Sequence, residues 1–386
     1  MSKGRILFLR SYPSRLDFST YNIQQFGMGK AFNELGYDFD FYTYTNLSST
    51  ETIVYEDKSN CTRTMCVEIK GKKVFNWGIM PEMKDKSFLE QYDAIVCQEY
   101  YQIMTYSLSK RSNKVSVYAG PYWNMFRSKA ASFLYDRLFV PAIRKNTKVV
   151  LSKSLLMKNY LEGKGFKNVV NIGVALDIDR FKIDCSIDET TRELMKYMTD
   201  NKCLLFVGRQ DPNKNFQFLC KVYEKILLTI PDIKLVVVGK SITRRRNNPE
   251  HKTYYEQIVE SFPESVRNGI VHVEKIENEQ LRYIYPLAKC LMLPSINEVF
   301  GMVLLEAMYL GCPVVSSNNG GSTTLITNGE TGYIEPCFDC EKWAATVINI
   351  VNDASLSSRL ITNSKKLIES NYTWTHLAKQ MLTKIL

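Results

Sequence analysis

The sequence predicts an α/β protein built from two doubly wound domains, each with a parallel sheet. Short apolar strands and amphipathic helices alternate along all 386 residues, which is the pattern of parallel sheets covered by helices on both faces. The alternation restarts after residue 202 with a second set of strands. A chain of this length with 45% hydrophobic residues can form two separate cores.

The first domain is predicted to cover residues 1–176. Its first strand spans 5–10, and the helix that follows spans 23–35 and stops at Gly36, a residue type that commonly ends helices. The segment 38–44 alternates as a strand does. Four further short apolar strands are predicted at 92–98, 114–118, 148–152 and 169–174.

The second domain is predicted to cover residues 177–373. It begins in a polar, acidic stretch, 177–202, which has no strand signal; part of 189–198 is expected to be helical. Strands are predicted at 203–208, 233–239, 270–273, 290–294 and 313–317, and helices at 216–230, 254–262 and 281–288. The last segment, 374–386, has the pattern of an amphipathic helix.

The net charge of +10 lies entirely in the first half of the chain. Residues 1–176 hold 25 Lys and Arg against 15 Asp and Glu, whereas the remainder holds 25 of each. The excess is steepest in 101–176, where aromatic residues are interleaved with basic ones: Tyr122, Trp123, Phe126, Phe133, Tyr135 and Phe139 with Arg127, Lys129, Arg137, Arg144, Lys145 and Lys148. An exposed surface of this kind suits an anionic membrane or a pyrophosphate-linked lipid. A merely solvated helix face is the alternative, and no motif supports nucleic-acid binding.

Several other classes of protein are not expected. No apolar run approaches the ~18 residues of a membrane span, and 6–9 is too short for a signal-peptide core, so we expect a cytoplasmic protein. Ten scattered cysteines indicate free thiols of a reducing compartment. The Cys337–Cys340 pair has no second pair or nearby histidine, and the two Asp-x-Asp sequences, at 38–40 and 177–179, lie in a strand and near a domain boundary; no metal site is therefore predicted.

The stretch 297–313 holds two carboxylates on either side of a loop-to-helix transition. Glu298 precedes the break at Gly301, and Glu306 falls inside an apolar helix that begins near Met302. The N-terminus of such a helix attracts an anion. Since its neighbours are apolar, Glu306 needs a hydrogen-bond partner, and sugar hydroxyls are good donors. This arrangement is typical of a nucleotide-sugar site.

Two cations and two glycines follow strands of the second domain. Gly208 and Arg209 end its first strand, and Lys214 follows a short turn. Because ligands of open α/β sheets gather at the carboxyl ends of strands, this cation pair suits a diphosphate. Gly239 ends the next apolar strand, where a nucleotide base could approach the backbone closely.

These motifs resemble the retaining glycosyltransferases of the GT-B fold, family 4, which carry a Glu-x7-Glu motif. The resemblance implies two Rossmann-like domains facing a central cleft, an acceptor-binding first domain, a donor-binding second domain, and a last helix (374–386) that packs back on the first. It implies that Glu298 contacts the donor sugar and Glu306 the ribose. It further implies that the amides of Phe300, Gly301, Met302 and Val303 lie against sugar and phosphate, with Gly208 and Gly239 lining the nucleotide, and that Arg209 and Lys214 neutralise the departing diphosphate.

The match is poorer elsewhere. The segment 319–326 resembles the Gly-Gly segment that closes the donor pocket, but Thr324 stands where the family often has Glu. The first domain lacks the Gly-rich first loop and the histidine that are common in the family, since His251, His272 and His376 all lie beyond it. Strand-end residues that could meet the acceptor are Gln98, Glu99, Gly120 and Tyr122, although for Glu99 a local ion pair is an equal alternative.

The sequence therefore predicts a cytoplasmic, membrane-associating enzyme that moves a sugar from a nucleoside diphosphate, expected to be UDP, to a glycan or lipid-linked acceptor in capsule, exopolysaccharide or O-antigen synthesis. It is expected to need neither a metal nor another cofactor. Two alternatives stay open: a sugar-nucleotide epimerase on the same fold, and a non-catalytic protein that binds a sugar nucleotide or a membrane glycan.

Overall fold

The computed structural model describes residues 2–17, 23–126, 128–183, 185–243 and 252–386. The chain divides into two compact units, of which unit 1 comprises Met1–Ala175 with Tyr372–Leu386 and unit 2 comprises Leu176–Asn371. Each unit is built on a predominantly parallel sheet flanked by helices. The predicted fold class is thereby confirmed.

Unit 1 contains an eight-stranded sheet with the order β10-β9-β8-β7-β1-β2-β4-β3, in which only the β3–β4 pair is antiparallel. A separate antiparallel hairpin is formed by β5 and β6. The strands are β1 Gly4–Arg10, β2 Tyr37–Thr45, β3 Thr50–Asp57, β4 Thr62–Lys70, β5 Lys72–Val74, β6 Trp77–Ile79, β7 Ala94–Gln98, β8 Val115–Ala119, β9 Val150–Ser152 and β10 Val169–Asn171. The helices are α1 Gln24–Glu34, α2 Lys86–Glu90, α3 Ile103–Ser109, α4 Lys129–Leu138, α5 Val140–Asn146 and α6 Leu155–Gly163, with a 3₁₀ turn at Pro81–Lys84.

Unit 2 contains a fully parallel six-stranded sheet with the order β13-β12-β11-β14-β15-β16. Its strands are β11 Cys203–Val207, β12 Lys234–Val238, β13 Ile270–Val273, β14 Ala288–Leu293, β15 Val314–Ser317 and β16 Tyr333–Glu335. Its helices are α7 Glu189–Asp200, α8 Phe216–Leu227, α9 Tyr254–Val259, α10 Glu264–Arg267, α11 Met302–Leu310, α12 Ser322–Leu325, α13 Cys340–Asn352 and α14 Ala354–Asn371, with 3₁₀ segments at Asp179–Lys182, Asn278–Tyr283 and Tyr285–Leu287.

The last helix, α15 (Trp374–Ile385), packs in the core of unit 1. Trp374, Leu377 and Met381 are buried beside aromatic residues of β1 and β2. Gly27 lets α1 approach this helix closely, because a Cβ at that position would overlap the Trp374 indole. Unit 1 is thus completed by a segment that follows unit 2 in the chain.

Two predictions about local structure are wrong. The helix predicted at 281–288 is instead a pair of 3₁₀ segments, since Pro286 near the start of the second lacks the N–H that a continuous α-helix requires. The six aromatic residues of 122–139 do not line an exposed basic surface together. Tyr135 is only 2% exposed, and Tyr122, Phe126 and Phe139 pack against its cluster because α4 and α5 use aromatic side chains to cover the sheet, whereas Phe133 is 63% exposed.

The described residues include no helix that is both long enough and apolar enough to span a membrane. All ten cysteines belong to the described part of the chain and are free thiols. Arg127 and His251, which entered the sequence predictions, lie outside the described residues.

Candidate nucleotide-sugar site

The candidate site lies at one edge of the unit 2 sheet. Parallel strands β12, β11, β14 and β15 are neighbours, so the loops at their carboxyl ends are side by side. Gly208 and Arg209 follow β11, Gly239 follows β12, and the residues from Glu298 to Val303 lie between β14 and the first turn of α11. All ten residues predicted for the nucleotide-sugar site belong to unit 2.

Lys214 and Glu298 form an ion pair between the loops that follow β11 and β14. Both side chains are largely buried, with 20% and 19% of their areas exposed. Because partial burial reduces screening by water, this pair is held more firmly than a surface pair. The structure thus brings together two of the three residues predicted to be catalytic.

Arg209, the third, is paired with Asp211. Its guanidinium donates from Nε to the Asp211 carboxylate over 2.8 Å, and the side chain remains 66% exposed. Asp211 is only 5% exposed and also accepts from the Lys214 backbone N–H over 2.8 Å. One carboxylate therefore orients the Arg209 guanidinium and fixes the backbone at Lys214. Asp211 was not predicted as a site residue. Its place in the sequence, two positions after Arg209 and three before Lys214, could have indicated that a carboxylate lies close to both.

Asn213 ties the two loops together. Its Nδ2 donates to the Asn297 carbonyl over 2.9 Å, and its Oδ1 accepts from the Asn297 N–H over 3.2 Å. The Ile296 N–H also donates to the Asn213 carbonyl over 2.8 Å. These bonds join segments 84 residues apart, so the position of Glu298 is coupled to that of Lys214.

The backbone conformation at positions 208 and 239 requires glycine. Their φ angles are +151° and +136°, which non-glycine residues rarely adopt. A Cβ on Gly239 would overlap the Gly208 carbonyl. The Gly239 carbonyl lies 2.8 Å from His272 Nε2, and the His272 ring stacks on Tyr255 with centroids 4.2 Å apart. Neither ring was predicted, because neither belongs to the motifs at the strand ends.

Gly301 is the N-cap residue that precedes helix α11, and it has a left-handed conformation with φ +77°. A side chain there would crowd Glu298, since a Cβ would lie 3.1 Å from the Glu298 Cγ. As a glycine, this N-cap residue has no side chain that could accept a hydrogen bond from the first turn of the helix. Phe300 is buried at 3% exposure, whereas Met302 and Val303 are half-buried. The positive end of α11 therefore lies beside the Lys214–Glu298 pair.

Glu306 is buried, as its apolar neighbours predicted, and has protein partners. Its Oε1 accepts from Asn278 Nδ2 over 3.1 Å, and its Oε2 accepts from the Tyr285 hydroxyl over 3.0 Å. Both partners come from the 3₁₀ segments. Asn278 Oδ1 is buried and has no hydrogen-bond partner among the described residues.

The Gly320–Gly321 pair after β15 packs directly on the Glu298 loop. The Gly320 N–H donates to the Glu298 carbonyl over 3.1 Å. A Cβ on Gly321 would overlap the Phe300 carbonyl oxygen, and one on Gly320 the Val299 carbonyl oxygen. Thr324 donates to the Gly320 carbonyl over 2.9 Å. The segment that was predicted to close the site thus supports the loop that carries Glu298.

In unit 1, a hydrogen bond joins two of the four predicted strand-end residues, Glu99 and Gly120. Glu99 has φ +70° and is 1% exposed, and its Oε2 accepts from the Gly120 N–H over 3.0 Å. Burial raises the pKa of Glu99 to about 7, although the nearby charge of Lys153 acts in the opposite direction. Burial also lowers the pKa of Lys153. Gln98 accepts from Gln25 over 3.1 Å, and Tyr122 is half-buried. Lys153 was missed in the sequence because basic residues are so frequent in that region.

The described residues contain no group of three or more His, Cys, Asp or Glu side chains that could hold a metal ion. In the first Asp-x-Asp sequence, Asp40 pairs with Arg5 and accepts from the Tyr92 hydroxyl over 2.8 Å. Asp38 accepts from the Arg63 N–H over 2.9 Å.

Comparison with known proteins shows that part of this chain matches a protein-family model and that the chain shares its fold with solved structures. Residues 188–367 match the model of the family "Glycosyl transferases group 1". An uncharacterized glycosyltransferase of Methanocaldococcus jannaschii is 29% identical over 202 residues, covering 52% of this chain and 49% of the relative. The lipopolysaccharide 1,2-N-acetylglucosaminetransferase of Salmonella typhimurium is 27% identical over 198 residues, covering 50% of each protein. The chain thus spans about half the length of these relatives.

Solved structures match over nearly the whole chain. The sucrose-phosphate synthase of Thermosynechococcus elongatus gives a TM-score of 0.71 at 21% identity, covering 99% of this chain and 98% of the other. The Anabaena protein HepE, solved with UDP and glucose, gives 0.64 at 13% identity and covers 98% of both chains. These identities establish the fold alone. The chain therefore has the GT-B fold, and its residues 188–367 match the family model of glycosyl transferases group 1.

Proposed function

We propose that the protein is a retaining glycosyltransferase of family 4, with Glu298 and Glu306 as its Glu-x7-Glu motif. The donor is a nucleoside-diphosphate sugar, with UDP as the nucleotide, and the acceptor is a glycan or lipid-linked glycan of cell-surface polysaccharide synthesis. The observation that carries this proposal is the Lys214–Glu298 pair beside the N-terminus of α11, within the matched domain. A lipopolysaccharide glycosyltransferase among the relatives and UDP in a solved neighbour support it.

In this proposal unit 2 binds the donor and unit 1 the acceptor. Lys214, Arg209 and the N-terminus of α11 stabilise the negative charge that develops on the diphosphate as its bond to the anomeric carbon breaks. Glu298 accepts hydrogen bonds from the sugar, and Glu306 from the ribose. The new bond forms from the acceptor oxygen on the same face, and the departing phosphate oxygen takes the acceptor proton. Such a reaction needs no histidine base.

Product analysis distinguishes this function from the two alternatives. Transfer releases free UDP and a glycoside, epimerisation returns an altered UDP-sugar, and a binding protein gives no turnover. The joint presence of Arg209, Lys214, Glu298 and Glu306 is the observation that favours transfer over binding alone.

Nucleotide preference can be measured by thermal shift, and we expect UDP to stabilise the protein more than GDP or ADP. A ligand at ~100 times its Kd contributes about 2.7 kcal/mol to the free energy of unfolding. In Glu306→Gln, an amide replaces one accepting oxygen, so the shift caused by UDP should become smaller relative to the variant's own baseline. Glu341→Gln is the control, because Glu341 is an exposed glutamate of the same unit. An equal shift in Glu306→Gln would remove Glu306 from the nucleotide site.

We also propose that transfer requires no divalent metal, because Lys214, Arg209 and the α11 terminus already supply positive charge to the diphosphate. The expected result is unchanged turnover in EDTA. Turnover that disappears with the chelator and returns with Mn²⁺ or Mg²⁺ would contradict this assignment.

Finally, we propose that the protein works in the cytoplasm as a peripheral protein on an anionic membrane. The excess of basic residues in unit 1 supports this proposal.

A further inference from the structure

Exposed apolar side chains of unit 1 gather on two elements. Phe75 and Val74, in the β5–β6 hairpin, are 83% and 37% exposed. Phe133, Leu134 and Leu138, on α4, are 63%, 54% and 62% exposed. Single exposed apolar residues are ordinary on protein surfaces, but a group of this kind marks a site of interaction.

The two elements are in contact through a chain of aromatic rings. The Phe75 ring lies 6.3 Å from the Trp77 ring, and the Trp77 ring lies 5.9 Å from that of Tyr135 on α4. The Trp77 indole N–H also donates to the Tyr101 carbonyl over 2.9 Å. These contacts fix the hairpin against Tyr135, the buried aromatic residue of α4. Phe133, Leu134 and Leu138 are the exposed apolar side chains of the same helix.

The surroundings of these apolar residues are strongly basic. The hairpin strands with their turn (72–79) and the segment 129–148 contain one acidic side chain, Asp136, which is paired with Lys164. They contain seven basic ones: Lys72, Lys73, Lys129, Arg137, Arg144, Lys145 and Lys148.

Two open grooves extend this basic surface. The charged side chains that line a groove of about 840 Å³ are five basic ones, Lys110, Arg111, Lys114, Lys145 and Lys148, and one acidic one, Asp93. A second groove, of about 540 Å³, shares Lys110 and Arg111 and reaches Ile79 on β6. The basic surface is thus continuous from the end of α5 to the hairpin.

We propose that the β5–β6 hairpin and the exposed apolar side chains of α4 form a surface that inserts into an anionic lipid bilayer. Phe75, Phe133, Leu134 and Leu138 enter the boundary between headgroups and acyl chains, and the surrounding Lys and Arg side chains bind lipid phosphates. This proposal specifies the membrane partner of the function proposed above. It differs from purely electrostatic adsorption because it requires the apolar side chains.

The combination of charges and apolar tips favours lipid over a protein partner. Stable attachment to a bilayer needs two signals, and here an apolar group and a basic cluster occur on the same two elements. A protein partner would have to match seven cations with carboxylates, whereas an anionic leaflet offers negative charge at any lateral position.

The test is sedimentation of the full chain with vesicles of phosphatidylcholine alone or with 30% phosphatidylserine. We expect binding only to the anionic vesicles, weakened at high salt because screening shortens the range of the charges. Phe75→Ser and the double variant Phe133→Ser/Leu134→Ser should each reduce partitioning into the vesicles about tenfold. A serine side chain, unlike phenylalanine or leucine, gains no free energy on moving from water into the bilayer. Leu228→Ser is the matched control, because Leu228 is 77% exposed in unit 2, and should bind like wild type.

The charge requirement is tested separately. Arg137, Arg144 and Lys145 changed together to Glu should release the protein from anionic vesicles without changing the thermal shift caused by UDP. Wild-type protein that ignores anionic vesicles at low salt would overturn the proposal. So would serine variants that sediment like wild type, or serine variants that lose only self-association in size-exclusion chromatography. Since no arm measures transfer, these outcomes are independent of whether the proposed enzyme activity is correct.

Discussion

Replacing Lys214 with alanine is expected to lower turnover about a hundredfold while changing donor affinity less. The Lys214 ammonium lies against the Glu298 carboxylate, in a setting where about four fifths of each side chain is withdrawn from water. In the proposed reaction, this ammonium stabilises charge that appears on the diphosphate only as the glycosidic bond breaks. Loss of one such preorganised charge costs roughly 3 kcal/mol in the transition state. The measurement is kcat and KM for the donor.

Lys225→Ala is the matched control for this experiment. Lys225 is also a lysine of unit 2 paired with a glutamate, Glu341, but that pair is on the surface. Surface pairs contribute about 0–1 kcal/mol, so turnover should remain near that of wild type. Arg209→Ala is expected to follow Lys214→Ala in direction. Near-normal turnover in both the Arg209 and the Lys214 variants would exclude the two cations from the mechanism.

Gly321→Ala is expected to destabilise unit 2 and to abolish most activity. The added methyl group would overlap the Phe300 carbonyl oxygen, so the loop that carries Glu298 would have to move. Overpacking against side chains costs about 1–3 kcal/mol, and a backbone atom yields less readily than a side chain. We therefore expect a loss of about 3 kcal/mol in the free energy of unfolding, measured in urea, together with a large fall in kcat/KM.

The control is Gly163→Ala in α6, where an added Cβ would have no atom of the described residues within 4 Å apart from its chain neighbours and the backbone of the helix itself. Alanine is favoured over glycine in a helix by roughly 0.5–1 kcal/mol, so this variant should be slightly more stable than wild type. If Gly321→Ala unfolds at the same urea concentration as wild type and keeps its activity, the tight contact between the two loops has no functional importance.

The parts of the candidate site that the sequence predicted are those that follow strands. Continuous apolar runs such as β11 and β12 can only be buried, and parallel strands bring their carboxyl ends to one edge, so Arg209 and Gly239 could be placed without a structure. The partners of these residues were not predictable in the same way. Tyr285 reaches Glu306 from a 3₁₀ segment, and neither its distance along the chain nor any periodicity marks that contact.

The exposed surface of unit 1, in contrast, could not be predicted from the sequence. The residues around Tyr135 are rich in both aromatic and basic types, so the sequence pattern does not reveal which side of α4 faces the sheet. The β5–β6 hairpin was missed because its strands are only three residues each, too short to give an alternating pattern. The exposure of Phe75, on which the proposed insertion depends, is consequently visible only in the structure.

The return of α15 to unit 1 bears on the order in which the two cores can form during synthesis. Unit 2 is one continuous segment, Leu176–Asn371, and contains every strand of its own sheet. Unit 1 begins earlier, but its core includes Trp374, Leu377 and Met381, which emerge from the ribosome after all of unit 2. Closing contacts over so many residues is slow and entropically costly. The nascent chain must therefore hold the apolar face of α1 and its neighbouring strands uncovered while unit 2 folds, which makes this interval the one most exposed to aggregation.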